Sequence, residues 1–93
     1  MSISKYEVIW GENSVANLKT IDLSIAKKIK EKVDNYLSLN PKELGKQLSH
    51  YYKGLYSYRY GDYRIIYEVN DLQIVILILK VGHRKEACDD WVW

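Results

Sequence analysis

Arg59, Arg64 and Arg84 are the only arginines in this 93-residue chain, and all lie in one segment, YSYRYGDYRIIYEVNDLQIVILILKVGHRK, at residues 56–85. The eleven lysines are spread along the whole length. A guanidinium donates several hydrogen bonds from a planar fork, the geometry best suited to fixing a phosphate. Arg59 and Arg64 flank Gly61-Asp62, a turn dipeptide, so a hairpin would bring the two cations together. Like charges opposed across strands are unfavourable unless an anion lies between them. The pair therefore reads as a phosphate grip, or as surface arginines neutralised by acids such as Glu68. Arg84 follows an apolar run within Val81-Gly82-His83-Arg84-Lys85, as a second cationic arm or as a solvated strand exit. Histidine as a residue type has an unperturbed pKa near neutrality, so His83 is either a proton carrier or a structural strand-end residue. Lys46, Lys53 and Lys85 are candidate phosphate contacts or ordinary solubilising lysines. Tyrosines 51, 52, 56, 58, 60, 63 and 67 interleave with these cations. They either stack on unpaired bases or replace phenylalanine in a core, and for Tyr63 and Tyr67 the core is the reading taken.

The elements that must position these residues follow from periodicity. Tyr6–Trp10 alternates as a short strand, ended by Gly11. Glu12–Lys19 reads as a short helix with Val15 and Leu18 on one face. Ile25, Ile29, Val33 and Tyr36/Leu37 recur at helical spacing, predicting a helix over Asp22–Leu39 that stops near Asn40, ahead of Pro41. Residues 41–50 read as a connection containing Gly45. From Leu55 the pattern changes to period two. Strands before and after Gly61-Asp62, and a third at Ile74–Leu79 after Asn70-Asp71, predict an antiparallel meander. The third strand is apolar on both faces and is expected to be central and covered on both sides. The expected core includes Ile25, Ile29, Val33, Ile65, Tyr67, Ile76 and Ile78. The fold class is α+β: a small antiparallel sheet with two N-terminal helices packed on one face and the other face partly open.

Composition narrows the functional classes. Residues 1–93 fit a single domain. The first 45 residues hold seven basic and six acidic side chains, and residues 46–93 again hold seven and six. A net charge of +2 is low for binding nucleic acid through bulk electrostatics, so any such contact should be local or supplied partly by a larger assembly. The single cysteine, Cys88, permits no internal disulfide and fits a reducing compartment. Two histidines and one cysteine lack metal-ligand spacing, so neither a metal site nor a cofactor is expected. The apolar run Ile74–Leu79 is too short to cross a bilayer, and the N-terminus lacks signal-peptide character. A cytoplasmic protein with no membrane partner is the expectation. Trp91 and Trp93 are expected to be tucked onto the core or covered by a partner.

The block Leu55-Tyr56…Arg59-Tyr60-Gly61-Asp62-Tyr63-Arg64-Ile65-Ile66-Tyr67, together with Val81-Gly82-His83-Arg84-Lys85-Glu86, Asn40-Pro41 and the Gly45/Leu48 approach, resembles the RelE/ParE superfamily of toxin–antitoxin toxins, on the RelE side. The resemblance spans nearly the whole chain. It implies a ribosome-dependent, metal-free mRNA endoribonuclease in which the substrate's 2′-hydroxyl attacks, yielding a cyclic phosphate and a free 5′-hydroxyl. Arg64 matches the family's principal catalytic arginine, Arg84 the later one, and Arg59 another commonly basic position. The implied partners are a cognate antitoxin and the ribosome with bound mRNA, with operator DNA contacted only through the antitoxin. Leu55 and Ser57 stand where family members often carry basic residues, and Cys88 or Asp90 where many carry a tyrosine. The alternatives are a ParE-like toxin that poisons DNA gyrase without cutting RNA, and a catalytically weakened relative that binds an antitoxin.

Overall fold

The computed structural model describes residues 5–48 and 54–83. Strand β1, Glu7–Trp10, leads into helix α1, Glu12–Lys19, and helix α2, Leu23–Asn35. A 3-10 turn at Leu37–Leu39, a one-turn helix α3 at Pro41–Leu44 and a two-residue strand β2 at Lys46–Gln47 follow. The meander is β3, Leu55–Tyr60, β4, Tyr63–Asn70, and β5, Val75–His83. The five strands form one sheet in the order β1-β5-β4-β3-β2. The expected α+β architecture is present, and the antiparallel meander gains one parallel neighbour: β1 pairs with β5 from Glu7↔Val75 to Trp10↔Ile78.

Asp22 caps α2, its carboxylate accepting from the Ser24 amide at 3.2 Å and from the Ser24 hydroxyl at 2.6 Å. The helix ends at Asn35, short of the expected Leu39. The Ser38 hydroxyl donates to the Asp34 carbonyl at 2.7 Å, satisfying an acceptor that a continuing helix would have used. Pro41 then opens α3, where its missing N–H costs nothing. The stretch read as a plain connection thus contains a helical turn and an edge strand.

Ile29, Val33 and Leu37 bury one face of the helical layer against Ile65, Tyr67, Ile76, Ile78 and Val81 of the sheet. Six of the seven expected core residues are buried, and Ile25 is half-buried. β5 lies inside the sheet but is fully covered only on the helical side. Ile76 and Ile78 are buried, while Val75, Leu77 and Leu79 are half-buried, because the helices pack on one face. β5 also runs to His83, four residues beyond its expected end. A register shift makes this possible: Ile66 pairs with Lys80 but Tyr67 pairs with Ile78, leaving Leu79 as an extra residue. Strict alternation would have aimed Lys80 at the core after Ile76 and Ile78. The bulge turns Val81 inward instead. The Val81 amide donates to the Asn17 side-chain oxygen on α1 at 3.0 Å, so α1 supplies the acceptor at the irregularity.

Candidate functional site

β3 and β4 are joined by Gly61-Asp62 alone, with Tyr60 opposite Tyr63 and Arg59 directly opposite Arg64. Gly61 has φ 59, a left-handed conformation at the first central position of a two-residue turn, where glycine carries no steric penalty. The arginine side chains therefore leave the same face of the sheet from adjacent strands, with Cβ atoms about 5 Å apart. The Arg59 Nε donates to the Gly61 carbonyl at 3.3 Å, tying the exposed guanidinium back to the turn. Arg64 is half-buried.

β2 adds the second wall. Lys46 pairs with Ser57 and Gln47 with Tyr56, and the Leu48 amide donates to the Leu55 carbonyl at 3.0 Å. Between the walls lies an open cleft of about 590 Å³ whose polar lining includes Lys46, Gln47, Ser57, Arg59 and Arg64. Three cations in one concave surface, with no carboxylate among the described residues that line it, suit an anion with several oxygens.

The structure thus brings Arg59, Arg64 and Lys46 together. His83 is placed elsewhere. It pairs with Tyr63, whose ring meets the imidazole edge-on at 5.2 Å, and it lines a separate hollow of about 170 Å³ with Asn17, Thr20 and Ile21 on the helical side. Arg84, Lys85 and Lys53 lie outside the described residues, as do Tyr51, Tyr52, Cys88, Asp90, Trp91 and Trp93. Arg84 is two positions after Gly82, the cross-strand partner of Arg64. Tyr63 is half-buried and Tyr67 fully buried, consistent with the core reading of both.

Reading the sequence alone overlooked Gln47 as part of the cleft and treated Ser57 only as a departure from a pattern. The period-two count from Arg59 places Ser57 on the same face. By contrast, no periodicity could reveal β2, a strand of two residues.

Residues 8–88 match the family model described as the ParE toxin of the type II toxin–antitoxin system parDE. The chain is 33% identical to Toxin RelE of Mycobacterium tuberculosis over 82 residues, covering 88% of this chain and 84% of that protein. It is 38% identical to Toxin RelG of the same organism over 50 residues, 54% of this chain and 58% of that protein. The toxin–antitoxin complex RelBE2 of M. tuberculosis contains a chain that superposes with a TM-score of 0.83 at 29% identity, covering 89% of this chain and 95% of its own.

Proposed function

Because the chain belongs to the RelE/ParE superfamily of type II toxin–antitoxin toxins, we propose that it arrests translation by cutting mRNA held on the ribosome, with the Arg59–Arg64–Lys46 cleft gripping the RNA backbone. The single observation that carries this reading is the direct opposition of Arg59 and Arg64 across a two-residue hairpin. Two guanidiniums leaving one face from adjacent strands can hold a single phosphate between their planar forks.

In the proposed reaction the 2′-oxygen attacks the adjacent phosphorus, and the bond from phosphorus to the 5′-oxygen breaks. The products are a 2′,3′-cyclic phosphate and a free 5′-hydroxyl. The attacking hydroxyl loses a proton and the leaving oxygen gains one. Arg64 stabilises the charge that grows on the phosphate. Arg59 and Lys46 hold the flanking backbone, and Lys53 and Lys85 extend that contact. Arg84 is the proposed second catalytic cation, assisting Arg64 or the leaving oxygen. The imidazole of His83, directed to the helical side, reaches the RNA only if the substrate bends around the end of β5.

Three arginines on a near-neutral protein supply little orientation for in-line attack. The ribosome is therefore the proposed source of that geometry, and free RNA the poor substrate. The partner in the cell is a cognate antitoxin, whose acidic segment masks at least one of Arg59, Arg64 and Arg84. The proposed compartment is the cytoplasm. No helix among the described residues is long and apolar enough to cross a membrane.

The test is induction in cells with mapping of mRNA 5′ ends. New ends within translated frames are expected. Arg64→Ala should lose growth arrest, with cutting slowed by on the order of 10²–10³-fold. Arg64→Lys should recover little, since one ammonium cannot reproduce the fork. Arrest without new ends, or full toxicity of Arg64→Ala, would sink the nuclease reading. A gyrase-directed binding mode would then take its place, a reading favoured by the ParE description of the matching family model and by the low net charge.

A further inference from the structure

We propose that Tyr67 and Gly45 form a latch that positions the Lys46 wall of the cleft against the Arg59–Arg64 pair, a role that rests on reading this cleft as the RNA site. Tyr67 is not a catalytic residue in this scheme. It acts through Lys46, from the opposite side of the sheet.

The wall needs such a support. β2 is two residues long, and the element leading into it, α3, is a single turn that would not persist alone. Tyr67 is fully buried in the middle of the core, three residues beyond Arg64 on β4. Its hydroxyl donates to the Pro41 carbonyl at 2.6 Å. The same carbonyl accepts the Gly45 amide at 3.3 Å. One acceptor therefore joins the rigid core to the residue immediately before Lys46. Contact is also steric: a Cβ on Gly45 would lie 1.8 Å from the Tyr67 hydroxyl oxygen and 2.9 Å from the ring carbon that bears it. Only glycine lets the backbone pass over the phenol. Burial pushes the phenol of Tyr67 well above its ordinary pKa of 10.0, so the hydroxyl remains a donor across the physiological range.

The test is a double-variant cycle with Tyr67→Phe and Lys46→Ala, read as single-turnover cutting of ribosome-bound mRNA. Hydrogen exchange at the Leu48 amide is measured in parallel. In the native background Lys46→Ala should weaken apparent RNA affinity about tenfold. In the Tyr67→Phe background the same change should cost less than about twofold, because Lys46 is already displaced. The Leu48 amide should exchange faster in Tyr67→Phe, with β4 and β5 amides unchanged. An undiminished Lys46 effect together with unchanged Leu48 exchange would overturn the latch. Should Tyr67→Phe fail to fold, Gly45→Ala displaces the hydroxyl from the other side and should give the same loss of coupling. If Arg64→Ala cuts as fast as the native protein, the RNA reading itself has failed. The exchange result then decides alone whether Tyr67 holds the wall.

Discussion

At the scale of single residues, the cleft owes its character to a few identities rather than to overall charge. Ser57 shares a face with Arg59 and pairs across the sheet with Lys46, yet it brings no charge of its own. Replacing it should expose the logic of the site. Ser57→Lys is expected to tighten binding of single-stranded RNA and to steepen the fall of log affinity with log salt by roughly 0.7, the increment for one further phosphate contact. The same variant should unfold slightly more easily in low salt without RNA, since it adds a third like charge beside Lys46 and Arg59. A salt titration of binding and a melting curve check both. An unchanged slope would mean that RNA does not pass Ser57.

At the scale of elements, an exposed polar cluster joins three segments that are distant in sequence. The Asp71 carboxylate, in the β4–β5 turn, accepts from Lys42 of α3 at 2.5 Å and from the hydroxyl of Tyr6, just before β1, at 2.7 Å. Lys42 first and Tyr6 second hold the Asp71 carboxyl below its ordinary pKa of 3.8. A depressed folded-state pKa means that the unfolded chain binds the proton more readily. The stabilisation is then complete above the ordinary value and lost as pH falls through the lowered one. Asp71→Asn should melt slightly below the native protein at neutral pH, and the gap should close as pH falls below the lowered carboxyl pKa. A gap that persists in acid would show that charge is not its origin. The same scale explains what the sequence could disclose. The hairpin carrying Arg59 and Arg64 was legible because its turn residues and alternation are local. The core positions Ile29, Val33, Ile65 and Tyr67 were legible because amphipathic periods survive packing. Three features were not. The end of α2 depends on a serine hydroxyl competing for a carbonyl, β2 exists only through its partner, and the true length of β5 depends on a bulge met by Asn17 from another element. The separation of His83 from the arginine pair follows from that last feature, because the bulge resets which side of the sheet each later residue faces.

At the scale of the whole molecule, the sheet order β1-β5-β4-β3-β2 makes the latest described strand the neighbour of both the earliest strand and the middle of the meander. That ordering has a consequence for a chain still being synthesised. Until β5 has been made, β1 has no partner, and β4 has only β3. Ile65 and Tyr67 also lack their counterparts Val81 and Ile78. A lone hairpin with a short edge strand is marginal in water, and contacts between distant segments are slow to form. A chain truncated after Asn70 contains Lys46, Arg59 and Arg64, yet it should be protease-sensitive and fail to bind RNA. Limited proteolysis and a binding assay would show this, and a folded, RNA-binding fragment would contradict it. A nascent chain is accordingly expected to lack a folded cleft until the last strand of the meander has emerged, a delay written into strand order rather than into any inhibitor.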